Sequence, residues 1–318
     1  MPATPRVTVL GSMNMDISVT VPELPGPGAT VLGSAARFAP GGKGGNQAVA
    51  AARLGAEVRM AGCVGPDDLG RQLRQALQAE SVDTAAVREV PGVASGLALI
   101  TIDHSGENTI AVAGGANHAV GREEVAAALG ASPDVLVISA EVPVPAIRCA
   151  LDRARAVAAG SLQRPLICLL NLAPVPPGAE NLLQAGVDWL VVNETEAAAV
   201  LGHPVAGLGE AARAAASLLI VGVTHAVVTA GAAGAAYAGP GGRISVPGFP
   251  VRAVDTVGAG DTFVGALATA LGEGVTPEPA VRTACAAAAA ATTRPGTQDA
   301  MPRPADVSAL TGIPWPRS

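Results

Sequence analysis

Short apolar runs recur along the chain at Val7 to Leu10, Val135 to Ile138, Leu166 to Leu170, Trp189 to Val192 and Ala226 to Thr229. Each is followed by a turn and then by residues with helical spacing, the alternation that predicts an α/β fold. Helices are predicted over Asn46 to Leu54, Leu69 to Ala79, Pro145 to Ala158, Glu194 to Leu201, Glu210 to Val221, Asp261 to Leu271 and Pro277 to Thr293. Packed on a largely parallel sheet, they would give a three-layer α/β/α core, with ligands gathering at the carboxyl ends of its strands.

Two regions break the alternation. Ile17 to Val21, Thr30 to Ala36, Leu97 to Ile102 and Thr109 to Val112 read as strands without intervening helices, and Asp103 to Asn108 supplies a polar turn between the last two. These segments, about 15–38 and 95–113, would form a small antiparallel sheet inserted in a single domain spanning 1–318. Beside the ligand end of the core, such a sheet would serve as a lid that keeps water from a reactive group.

Composition narrows the chemistry. The 318 residues are 49% hydrophobic and 14% charged, enough apolar side chain to bury a large core. A formal net charge of −6 without any basic run argues against a nucleic-acid partner, which needs clustered Lys and Arg. Asp16 interrupts the first apolar stretch, and Ala284 to Ala291 is too short to span a bilayer, so no membrane association is expected. Cys63, Cys149, Cys168 and Cys285 show no C-x-x-C spacing and read as reduced thiols of a cytoplasmic protein. His104, His118, His203 and His225 have neither metal spacing nor a nucleophile partner.

Two glycine clusters carry the candidate chemistry. In Val254-Asp255-Thr256-Val257-Gly258-Ala259-Gly260-Asp261-Thr262-Phe263, glycines run directly into an apolar helix. Unpaired N–H groups at a helix start suit an oxygen-rich anion, and an acid beside a phosphate suggests a base for an attacking hydroxyl. In Gly41-Gly42-Lys43-Gly44-Gly45-Asn46-Gln47-Ala48, glycines permit close backbone approach to a polyhydroxylated ligand, with Asn46 placed to cap the following helix. The phosphate-binding pattern G-x-x-x-x-G-K-[ST] is not matched, because Gly44 follows Lys43.

These two clusters, Gly11-Ser12-Met13-Asn14-Met15-Asp16, Gly106-Glu107-Asn108, Asn193-Glu194-Thr195-Glu196 and Thr293-Arg294 with Gly296 resemble, in order and spacing, the signatures of the PfkB (ribokinase-like) carbohydrate kinase family. The resemblance covers essentially the whole chain and is strongest to the branch that acts on ribose. It implies a phosphotransferase with an alcohol acceptor, moving the γ-phosphate of ATP to O5 of D-ribose. Another sugar or nucleoside (fructose, deoxyribose, 2-keto-3-deoxygluconate) and a sugar-binding protein without catalysis stand as alternatives.

The resemblance further implies Asp261 as catalytic base, with Gly258, Ala259 and Gly260 as the anion hole. Asn14, Asp16, Gly42, Lys43, Asn46 and Glu141 would contact the pentose. Asn193, Thr229, Gly231, Gly234, Gly260 and Cys285 would hold the nucleotide. Asn193 and Glu196 fall on one helical turn and would reach Mg²⁺ through water, although the same spacing suits a plain capping box. An activating K⁺ would be bound at Asp255, Val257, Ala291, Arg294, Gly296 and Ala300, mostly through backbone oxygens; Ala300 cannot offer the hydroxyl often found there. A homodimer is expected on the same ground.

Overall fold

A computed structural model describes residues 4–160, 165–184, 186–312 and 314–315. In chain order its elements are β1 (Arg6–Leu10), β2 (Asn14–Thr20), β3 (Arg37–Gly41), α1 (Lys43–Arg53), β4 (Glu57–Val64), α2 (Asp68–Ala79), β5 (Asp83–Glu89), β6 (Gly96–Ile102) and β7 (Asn108–Ala113). There follow α3 (Arg122–Gly130), β8 (Val135–Ser139), α4 (Val144–Gly160), β9 (Ile167–Asn171), α5 (Ala179–Gln184), β10 (Val187–Asn193), α6 (Glu194–Leu201) and α7 (Gly207–Ile220). The chain closes with β11 (Val223–Thr229), β12 (Gly234–Gly239), β13 (Gly242–Pro247), α8 (Ala259–Gly272), α9 (Pro277–Ala291) and α10 (Pro304–Thr311).

Among the described residues, nine strands form one sheet in the order β13-β12-β11-β10-β9-β8-β1-β4-β5. All neighbours are parallel except those of β12, which pairs antiparallel with β11 and β13. The unbroken apolar runs have a direct cause in the layering. Val135, Val137, Trp189, Val191 and Val227 join one core with α1, α8 and α9, whereas Leu136, Ile138, Leu190, Val192 and Val228 join another with α4 and α7. Successive side chains point to opposite faces, so a strand covered on both must be apolar at every position.

A second, four-stranded sheet has the order β3-β2-β6-β7. It departs from the sequence expectation in two ways. The pair β2–β6 is parallel, so the sheet is mixed rather than antiparallel. The strand expected at Thr30 to Ala36 does not form there, and β3 at Arg37–Gly41 pairs with β2 instead. Ser34 explains part of this: its Oγ accepts from Thr20 N–H at 3.0 Å while its own N–H donates to the Thr20 carbonyl at 2.8 Å. A side-chain bond has taken the place of a ladder bond. Because β3 leads directly into α1, this small sheet is continuous with the start of the helix that carries Lys43, Asn46 and Gln47.

Candidate active site

Gly42 sits just before α1 with φ at +82°, and a Cβ there would lie 2.6 Å from Asn14 N. Only glycine tolerates both constraints, and the turn that results seats the first residues of α1 against the start of β2. Lys43 N–H then donates to Glu141 Oε2 at 3.2 Å, and Ser12 Oγ donates to the same oxygen at 2.5 Å. Asn14 is held through Asn117, whose Nδ2 donates to Asn14 Oδ1 at 2.7 Å and whose Oδ1 accepts from Met13 N–H at 2.9 Å. Asn46 does not cap the helix as expected. The N-cap is Gly42, and Asn46 Nδ2 instead donates to Asp261 Oδ2 at 2.9 Å while its Oδ1 accepts from Gln298 at 3.1 Å.

Across from α1, Gly258 is the N-cap of α8 in the left-handed region, with φ at +78°. Asp261 therefore occupies the third helical position, and the N-cap of α8 is Gly258 rather than the acid. It is 8% exposed, and its second oxygen accepts from Gln47 Nε2 at 3.0 Å. Burial pushes the Asp261 carboxyl above its ordinary range, against the pull of the Lys43 charge and the two amide donors, with Glu141 adding to the rise. Asp16 is pushed up to about 7 by burial and by the nearby carboxylates of Glu141 and Asp261. Three carboxylates thus converge on one ammonium: burial works against the Lys43 charge, but Asp261, Glu141 and Glu196 hold its pKa above the usual lysine value.

Two cavities adjoin α8. A polar one of about 230 Å³ is lined by Lys43, Asn171, Asn193, Glu196, Gly258, Gly260 and Asp261, among others. The larger, about 480 Å³, takes Thr229, Gly231, Gly234, Phe249, Gly260 and Cys285 among its walls and is mainly apolar. Thr229 and Gly260 line both, so the two spaces meet at the first turn of α8. A side chain at Gly260 would touch no protein atom within 4 Å, which leaves the α8 backbone open to the shared space. A flat apolar group with an attached anion matches this pair of cavities, the anion facing the helix N-terminus.

Asn193 and Glu196 form the reciprocal capping box, with Asn193 N–H donating to Glu196 Oε2 at 2.8 Å and Glu196 N–H to Asn193 Oδ1 at 2.9 Å. Both nevertheless line the polar cavity, and burial raises the Glu196 carboxyl despite the Asn193 N–H and Lys43. Among the described residues no group of three His, Cys, Asp or Glu side chains is arranged to hold a metal ion. A divalent cation carried on phosphate oxygens and reaching Glu196 through water fits this donor set.

Of the residues expected around K⁺, Asp255, Val257 and Gly296 come together. Asp255 Oδ1 accepts from Val257 N–H at 3.0 Å and its Oδ2 from Gly296 N–H at 2.9 Å. Ala291 ends α9 and Ala300 is buried, while the Arg294 side chain turns away to Asp306 at 2.7 Å. His225 is structural, stacked 4.4 Å from Trp189 and bonded to the Tyr237 hydroxyl at 2.8 Å. Ser12, Gln47, Asn117, Asn171 and Gln298 are the site residues to which the sequence attached no role. Their partners lie far away in the chain, and only the Asn46-Gln47 adjacency hinted at one of them.

The pfkB family of carbohydrate kinases matches over residues 4–304. A ribokinase of Haemophilus influenzae is 37% identical over 298 residues, 93% of this chain and 95% of the relative. Among solved structures, an Arabidopsis thaliana ribokinase complexed with ribose and ATP superposes with TM-score 0.84 at 29% identity, covering 98% of this chain and all of that one. Phosphofructokinase-2 of Escherichia coli in complex with potassium superposes with TM-score 0.77 at 25% identity over 97% of this chain and 99% of its own. Sequence and fold agree along nearly the full length, and the chain belongs to the pfkB family of carbohydrate kinases.

Proposed function

We propose that the protein transfers the γ-phosphate of ATP to O5 of D-ribose. The observation that carries this reading is Asp261, a buried carboxylate at the start of α8 where an apolar and a polar cavity meet. The adenine would occupy the apolar space near Cys285 and the phosphates would run past Thr229, Gly231 and Gly234 to Gly260. Asn14, Asp16, Gly42, Lys43, Asn46 and Glu141 would hold the pentose so that its O5 hydroxyl faces Asp261. Asp261 takes that proton as the oxygen attacks phosphorus, and the N–H groups of Gly258, Ala259 and Gly260 meet the charge on the transferring group. When bound, Mg²⁺ would neutralise phosphate charge; Asn193 and Glu196 are the residues to hold its water shell.

Asp255 ties the anion-hole turn to the loop after α9, which is the span where an activating K⁺ would act; the Escherichia coli relative was likewise solved in complex with potassium. A cation that binds the competent turn better than other arrangements shifts the population toward it. ADP release over a panel of ribose, 2-deoxyribose, fructose, 2-keto-3-deoxygluconate and nucleosides, each in K⁺ and in Na⁺, tests both points. Ribose should show the highest kcat/KM and Na⁺ should lower it; another sugar at tenfold higher kcat/KM rejects the substrate, and indifference to the cation rejects the K⁺ site.

The small sheet would act as a lid over the sugar. It leaves Phe38, Leu99, Ile110 and Val112 exposed, apolar surface that a second copy would cover in a homodimer; a monomeric mass by light scattering would sink that assembly. No helix among the described residues is long and apolar enough to cross a membrane, and the four cysteines are free, which suits a cytoplasmic protein.

A further inference from the structure

Gln47 is fully buried, and no step above uses it. Its Nε2 donates to Asp261 Oδ1 at 3.0 Å and to Asn171 Oδ1 at 2.9 Å, while its Oε1 is buried without a hydrogen-bond partner. Rotating the amide would aim that oxygen at two acceptors at once, so the observed orientation is the one the chemistry permits. Asn171 is fixed in turn, because its Nδ2 donates to the Val191 carbonyl at 3.1 Å and only its Oδ1 is left to face Gln47. The orphaned oxygen is the cost of directing both N–H groups of Gln47 toward this pair.

Backbone packing delivers Gln47 to this place. Gly265 lies one turn beyond Asp261 on α8, and a Cβ there would come within 2.8 Å of the Gln47 carbonyl and 2.7 Å of Ala50 Cβ. Helices α1 and α8 therefore meet backbone to backbone at Gly265, and the Gln47 side chain reaches along that contact to the carboxylate. Asn46, on the neighbouring position, holds the other oxygen and also belongs to the sugar set.

We propose that Gln47, oriented by Asn171, is the positioning residue for the base: it sets the rotation of the Asp261 carboxylate and favours its ionised, proton-accepting form. This rests on the reading of Asp261 as the base. Hydrogen bonds donated to a carboxylate stabilise the charged form, and here one must offset burial. The other charged groups that act on Asp261 are Lys43 from α1, Asp16 from β2, Glu141 from the loop after β8 and Glu196 from α6. All of them are retained when only Gln47 is changed.

The experiment is the pH profile of kcat/KM for ribose in Gln47→Met and Gln47→Glu, with thermal unfolding measured alongside. Losing the donor in Gln47→Met should move the acid limb upward by about one pH unit, the shift that one hydrogen bond to a charged group commands. Gln47→Glu, nearly isosteric and therefore expected to fold, places a second carboxyl against the first and should move the limb further. Toward high pH the Met variant should recover much of its rate. A fall in rate with the limb unmoved in Gln47→Glu overturns the proposal and leaves Gln47 a packing residue, as does a Met variant that folds and shows the wild-type limb. Absence of sugar kinase activity in the unmodified protein, or full activity in Asp261→Asn, would instead refute the base assignment.

Discussion

Asp261→Asn should lower kcat by about 10²–10⁴-fold, the range a positioned base contributes, with KM for ribose changed only a few-fold. The substitution keeps shape and removes the proton acceptor. Phosphoryl transfer passes through a loose transition state, so the sugar oxygen gains most of its nucleophilic demand late and the proton leaves late. Rate should therefore suffer more than binding. The amide also sets one N–H against the donors of Asn46 or Gln47, which now have a single oxygen to share instead of two. Steady-state kinetics with nucleotide binding measured separately distinguishes the outcomes. A wild-type kcat would remove Asp261 from the chemistry, and an inactive parent protein that still binds ribose tightly would restore the alternative of a sugar-binding protein.

The core strands were legible because burial on both faces leaves no polar positions in them, as in Val135 to Ile138 and Trp189 to Val192. Elements toward the sheet edges were harder to read. β4 opens on Glu57 and Arg59, so its apolar run is confined to Met60 to Val64 and includes a glycine; β5 begins at Asp83 and ends on Arg88 and Glu89, and β12 with β13 is rich in glycine and alanine, so none has the all-apolar pattern of the central strands. β3 contains Pro40 and Gly41, residues that argue against a strand unless it lies at an edge, as this one does. The parallel pairing of β2 with β6 had no local signal, since no turn joins the two.

The site divided along the same line. Glycine turns announce themselves locally, so the stretches around Gly42 and Gly258 could be found from spacing. Partnerships across the chain could not. Asn46 read as a cap from its neighbours, yet its partners Asp261 and Gln298 are 215 and 252 residues away. The reciprocal box of Asn193 and Glu196 was visible for the opposite reason, as both members sit within one turn. Likewise nothing near Asn171 or Asn117 in sequence discloses that each fixes another residue of the site.

Asp16→Asn should weaken ribose binding and stabilise the empty protein, two effects of opposite sign from one charge. An ionised Asp accepts from two sugar hydroxyls, and hydrogen bonds to a charged acceptor contribute roughly 1.5–3 kcal/mol each, so losing the charge and one acceptor should raise KM by about 10²-fold. In the empty site the same charge is unfavourable, because burial and the carboxylates of Glu141 and Asp261 lift Asp16 from 3.8 to about 7. A carboxyl whose folded pKa is raised binds its proton more tightly in the folded state. Its contribution is fully present below pH 3.8 and is lost as pH rises to about 7. The substitution should therefore raise the melting temperature of the sugar-free protein at pH 8 and change it little near pH 4. In the parent protein, ribose KM should fall as pH rises from 6 to 8 and the Asp16 charge becomes available to the sugar; in Asp16→Asn that slope should disappear. A variant that binds ribose normally, or that is less stable at pH 8 without ligand, would show that Asp16 is a structural carboxylate of β2 rather than the group that reads the sugar.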